Sequence, residues 1–391
     1  MTQDDRLVVL DLGRAVAILG VVAVHLCSWV PALPSWLSLL AGSGQYGVQL
    51  FFVISAFTIC KTLADDRKKG LDTAPLIRRF YLKRFARIAP LYYLGIVIYG
   101  VLDRVAIRIS HVHVLSAHGT WDVLANALFV HQFVPGAINS VVPGGWSIGV
   151  EMAFYVVAPA LFLMSRTRRG LWLVAATTLA VCYGTVWFAL RGASTNAVIN
   201  NTFLYYWPPT QFPCFIPGIM LWSYCREKFQ HERPDLHMVV LAGVGVTAGY
   251  AALLATGAGL NLSYAITPLI AAATGASLLL LFAASREALT KIRIAQKLGE
   301  RSYGVYIWHF LGIFIFRLIG KTFGAQLQVI PPVLLFALGV TLVTLLAYAL
   351  STCSERLVER PASRWMREKL SGGPAPKTPA GSRPATSPAT D

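Results

Sequence analysis

The chain has 391 residues, 55% of them hydrophobic and only 13% charged, with a mean hydropathy of +0.58. A water-soluble domain of this length needs a larger charged surface, so the composition points to a polytopic membrane protein. A formal net charge of +16 would suit a nucleic-acid binder, but the basic residues cluster in short stretches between apolar segments, which argues against that class.

In chain order, apolar segments long enough to span a bilayer, or nearly so, fall at about residues 8–29, 46–63, 85–104, 146–165, 171–190, 210–226, 238–256, 264–285, 302–320 and 331–353. They predict an all-α polytopic membrane protein of about ten transmembrane helices. The sixth segment is the weakest, being short and broken by Pro213 and Pro217. The opening "MTQDDRLVV" has neither the charged n-region nor the cleavage site of a secretory signal, so the first helix is expected to stay as an anchor. With the N-terminus inside, every Lys and Arg except Arg104, Arg108, Arg191, Arg317 and Lys321 falls on the inner side. Both termini are therefore expected in the cytoplasm. The longest outer connection, 105–145, contains "WDVLANALFVHQF", which reads as a re-entrant or interfacial helix. Residues 366–391, rich in Pro, Ser, Ala and Thr, are expected to be a disordered tail after a membrane domain of residues 1–365. The six cysteines form no CxxC or Cys/His cluster, so neither a metal site nor a disulfide framework is expected.

Several polar residues stand out against this apolar background. In "DLGRAVAILGVVAVHLC" only Arg14 and His25 interrupt the run toward its two ends. Eleven residues of helix set them about 16–17 Å apart along the axis and on one face. That stripe should face protein or a water-filled cavity, since ionisable groups rarely point into lipid. Taken alone, Arg14 reads as a snorkelling cation and His25 as a hydrogen-bonded packing residue. Glu151, in "PGGWSIGVEMAFYVVAP", is the acidic residue well inside an apolar span, expected one to two turns below the outer surface. Its depth makes His25 a candidate partner, against the plainer reading of a helix-packing ion pair. Ser147 either caps that helix or turns its hydroxyl to a substrate, with capping the plainer role. Trp146 reads as an interfacial aromatic or a sugar platform. Within the basic stretch 61–87, Lys83, Arg84 and Arg87 suit the phosphates of a nucleotide-bearing donor, although topogenic charge explains most of the stretch. In "ERSYGVYIWHF", Tyr303, Tyr306 and His309 recur at helical spacing, as in a packed polar seam.

Five ordered pieces of this chain resemble the acyltransferase-3 membrane proteins that acylate bacterial surface sugars. They are the Arg14-to-His25 spacing, "GVQLFFVISAF", "RFARIAPLYYL", "WSIGVEMAFYVVAP" and "SYGVYIWH", together spanning about residues 7–365. The chain departs from the family pattern at Gly13 and Ala15 around the first arginine, and at Ala56 where a glycine is usual. The resemblance implies transfer of an acyl group, usually acetyl from acetyl-CoA, to a carbohydrate hydroxyl beyond a bacterial inner membrane. It implies His25 as general base or acyl carrier, with Glu151 orienting it. Arg14, Arg84 and Arg87 would hold the anionic end of acyl-CoA. Ser55, Trp146, Ser147, Tyr303 and His309 complete the set on the substrate side. No metal is implied. The rival classes are a transporter or flippase for a lipid-linked sugar, an enzyme passing succinyl to a periplasmic glucan, and a scaffold that leaves Glu151 unexplained.

Overall fold

The computed structural model describes residues 3–110, 118–191, 202–230, 236–256, 263–289, 291–324 and 329–371. Among them there is no strand, and nine helical stretches are long and apolar enough to cross a membrane. Helix α1 (Gln3–Cys27) is followed by the short α2 (Ser35–Gly42) and then α3 (Gly47–Lys68), α4 (Thr73–Ser110) and α5 (Thr120–Ala127). Next come α6 (Gly145–Met164), α7 (Arg168–Leu190), α8 (Ile216–Gln230), α9 (Leu236–Thr256) and α10 (Ser263–Ala284). Helices α11 (Arg293–Glu300), α12 (Ser302–Thr322), α13 (Pro332–Ser354) and α14 (Arg360–Ser371) complete the chain.

The sixth expected span is a broken helical run. A short helix at Pro208–Gln211 and a 3-10 turn at Phe212–Phe215 lead into α8, because Pro213 and Pro217 withhold donors from the helical ladder. Irregular backbone at membrane depth needs internal partners. Here Thr210 Oγ donates into the carbonyls of Leu204, Tyr205 and Trp207, and Gln49 Nε2 donates to Gln211 Oε1 at 3.0 Å. The connection between α4 and α6, expected on the outer side, holds α5 and a 3-10 turn at His131–Phe133. The basic stretch 61–87 is helical except for residues 69–72. Helix α3 runs through it to Lys68 and α4 starts at Thr73, so Arg84 lies on a buried helix face. Helix α14 carries the chain to Ser371, past residue 366 where the tail was expected to begin, and residues 372–391 lie outside the described part.

Helix α1 is the axis of the bundle, packed against α3, α10, α11, α12 and α13. Its Ile18, Val22 and Leu26 are fully buried. A stripe buried on most sides is what lets one transmembrane helix carry an arginine and a histidine. Helix α11 closes one end of the bundle by laying Gly299 on the backbone of Asp11, where a Cβ would run into the Asp11 carbonyl. Gly299→Leu is therefore expected to cost about 1–3 kcal/mol by overpacking. The readout is a lower unfolding temperature in detergent, and an unchanged temperature would show that the approach tolerates a side chain.

Candidate active site

Helices α1, α3, α4, α6 and α12 enclose a narrow cavity of about 70 Å³ into which Arg14, Arg84, Arg87 and Glu151 all face. It adjoins a wider vestibule of about 600 Å³ on the α11 side, and Arg14, Arg87 and Tyr303 line both. Arg14 pairs with Asp11, one helical turn earlier, and donates to Thr58 Oγ1 at 3.1 Å. Arg84 donates to Thr62 Oγ1 at 3.2 Å and lies 5.6 Å from the Phe80 ring centroid and 5.5 Å from that of Tyr155. Arg87 has no hydrogen bond or ion pair among the described residues, although it faces both cavities. Lys83, grouped with these arginines by its sequence position, turns away and binds the buried Asp66 at 2.7 Å.

Glu151 does not reach His25. Among the described residues it accepts from Ser55 Oγ and, at 2.7 Å, from the Tyr155 hydroxyl one turn along α6. The reason is depth. The start of α6 is sunk beneath the segment between α4 and α6, where Asn126, His131 and Gln132 are almost fully buried. His131 Nε2 donates to the Gly145 carbonyl at 2.9 Å, wedging the first turn of α6 inward. Burial pushes the His131 imidazole down to about 4, so it holds that turn as a neutral ring. Two turns into such a helix, Glu151 lies at the level of the arginines.

His25 lies at the other end of the α1 stripe. Its ring centroid is 5.5 Å from that of His309 and 4.6 Å from that of Phe310. His309 is fully buried and donates Nδ1–H to the Tyr306 carbonyl at 2.5 Å, leaving Nε2 an unpaired acceptor among the described residues. The Tyr306 side chain lines the arginine cavity and closes it toward His309, donating to the Gly144 carbonyl at 2.9 Å and meeting Ser147 Oγ at 2.8 Å. Beyond His25 is a further cavity of about 270 Å³, lined also by Ser28, Tyr99 and Asn139. One series thus runs from the vestibule through the arginines, Tyr306 and His309 to His25.

Other substrate-side candidates take structural positions. The N-cap of α6 is Gly144, at φ +75°, not Ser147, because the turn needs a left-handed residue there. Trp146 is not interfacial: it is 6% exposed and stacked on Tyr206, with centroids 4.5 Å apart. Tyr303 donates to the Ile88 carbonyl at 2.7 Å, bracing α4 beside Arg87.

The acyltransferase domain of the acyltransferase-3 family matches residues 7–352. The chain belongs to this family. It is similar to the peptidoglycan O-acetyltransferase OatA of Listeria monocytogenes, at 24% identity over 77% of this chain and 48% of the relative. The acyltransferase MdmB of Streptomyces mycarofaciens is 28% identical over 73% of this chain and 72% of its own length. The exopolysaccharide production protein ExoZ of Rhizobium meliloti is 26% identical over 82% and 90% respectively. This acyltransferase-3 chain spans about half the length of OatA and of the putative peptidoglycan O-acetyltransferase YrhL of Bacillus subtilis. No solved structure matches it.

The arrangement offers this acyltransferase-3 protein two chemically distinct ends: cations around a narrow cavity, and imidazoles beside a second cavity. Sequence reasoning had passed over Asp11 and Tyr155, whose spacings from Arg14 and Glu151 are those of helical neighbours and were a usable signal. Thr58 and His131 carried no such signal.

Proposed function

We propose that the chain transfers an acetyl group from acetyl-CoA to a hydroxyl of a carbohydrate on the opposite side of a bacterial inner membrane. The observation that carries this reading is the series of side chains from the vestibule to His25, whose ends, Arg14 and His25, both stand on α1. A vestibule of about 600 Å³ is of the size that holds a small ligand, whereas the 70 Å³ passage admits no more than a slender arm. Arg14 and Arg87 offer the vestibule cations suited to phosphate, with Arg84 behind them in the narrow cavity, and the bulk of the donor would stay in the vestibule. Tyr306 moves aside to let the thioester reach the imidazoles. His25 then takes the proton of the acceptor hydroxyl as its oxygen attacks the thioester carbonyl. The carbon–sulfur bond breaks, and the proton passes to the departing thiolate. His309, with Nδ1 committed to a carbonyl, keeps Nε2 available beside His25. Glu151 offsets part of the positive charge of the arginines.

Purified protein given labelled acetyl-CoA, succinyl-CoA or neither, with a surface-polysaccharide fraction as acceptor, tests the reading. Label moving from acetyl-CoA to sugar supports it. Passage of a lipid-linked sugar across vesicles with no acyl transfer would replace it with the flippase class.

The same reading sets the vestibule and both termini in the cytoplasm, following the Lys and Arg distribution. A single cysteine at Ala295, in a background lacking the six native cysteines, is expected to resist an impermeant thiol reagent applied from outside. Labelling without permeabilisation would reverse the orientation.

A further inference from the structure

Two cavities at the His25 end share a wall. One, of about 270 Å³, contains His25, Ser28 and Asn139. The other, of about 650 Å³, contains Pro31, Lys321 and Leu335. Trp29, Phe314 and Arg317 line both. At this wall the Arg317 guanidinium lies over the indole of Trp29, its Cζ 3.5 Å from the ring centroid. Stacking occupies the face of a guanidinium and leaves its in-plane N–H fork free for a planar oxyanion. Neither Arg317 nor Lys321 has a carboxylate partner among the described residues, and both are exposed. They are also two of the five basic residues on the side where the charge distribution disfavours them.

We propose that Trp29 and Arg317 form a subsite for an anionic group of the carbohydrate acceptor, so that the preferred acceptor is an acidic glycan. This rests on the reading of His25 as the acceptor end of the path. The indole supplies the apolar platform that a sugar ring covers, and the guanidinium supplies paired donors for a carboxylate or phosphate. Trp29 follows His25 by four residues and lines the same cavity, so a sugar anchored there presents its hydroxyls to the imidazole side. A neutral sugar leaves the stacked cation without a counter-charge, which makes Arg317 a selector as well as an anchor. The same oxyanion chemistry has two sources: a uronic acid within a polymer, or the phosphate of a lipid-linked sugar.

Three probes separate these, each titrated against the full chain in phosphatidylcholine nanodiscs. They are a glucuronic-acid oligosaccharide, the same oligosaccharide with its carboxyls reduced, and a polyprenyl-phosphate-linked glucose. The wild type is expected to bind at least one anionic probe about tenfold or more tightly than the neutral one, and Arg317→Gln to lose that preference. Arg317→Lys keeps the charge without the fork, and should retain a fraction of the preference that disappears at high salt. A uronate-only preference assigns the subsite to the polymer, and a phosphate-only preference assigns it to the lipid carrier. Equal binding of charged and neutral probes, or a preference unchanged in Arg317→Gln, overturns the proposal. Acetyl-CoA turnover by the wild type is followed in the same nanodiscs. Its absence would count against the acyl-transfer reading, while the anion preference is scored independently.

Discussion

His25→Ala is expected to reduce acyl transfer by about 10²–10⁴-fold, the range associated with removing a positioned general base. No donor concentration should restore the rate, because the loss is in the chemical step. Donor binding should survive, since the arginine cavity and the vestibule do not include His25 among their walls. Folding should survive as well. His25 borders a cavity, and its ring contacts with His309 and Phe310 can be lost without stranding a charge. Turnover and donor affinity measured separately on purified protein decide the matter. Normal turnover, or a loss confined to donor affinity, would move the reactive centre to His309, whose Nε2 has no hydrogen-bond partner among the described residues.

Arg87→Gln is expected to do the opposite. Arg87 faces both the vestibule and the narrow cavity with no internal partner among the described residues, so its charge is available to a ligand. A hydrogen bond to a charged group contributes about 1.5–3 kcal/mol, which corresponds to a rise in donor KM of roughly 10–100-fold. The turnover number should stay within a few-fold of wild type, reached at higher acetyl-CoA. Arg14→Lys should act in the same direction with a smaller effect, because Arg14 already divides its donors between Asp11 and Thr58. A fall in turnover at unchanged KM for Arg87→Gln would show that the cation acts in the reaction, not in donor capture.

Much of this site was legible in the sequence because helical periodicity carries information over several turns. The eleven-residue spacing placed Arg14 and His25 on one stripe, and the structure finds protein-lined cavities at both ends of it. The grouping of Arg84 and Arg87 with Arg14 came from the family resemblance, and all three line one cavity, whereas Lys83, grouped with them by the basic stretch, is held by Asp66. The partner of Glu151 was not legible. Its depth depends on how far the start of α6 is pushed below the segment between α4 and α6, and that is set by buried contacts of His131 and Asn126. Such contacts join distant segments and leave no periodic trace. The pairing of Arg317 with Trp29 was hidden for the same reason, and Arg317 was visible only as an exception to a charge rule. Pro213 and Pro217 did mark the broken sixth segment correctly, since a missing backbone donor is a local property.

Vectorial transfer tests the central claim most directly. Purified protein is reconstituted in sealed vesicles in one orientation, with the vestibule outward, radiolabelled acetyl-CoA outside and an acidic oligosaccharide trapped in the lumen. The expected result is acetylated oligosaccharide inside, with intact acetyl-CoA absent from the lumen and no product in vesicles carrying His25→Ala. Acetylation confined to oligosaccharide on the donor side, or luminal product formed equally well by His25→Ala, would contradict a single path running from the arginines to His25.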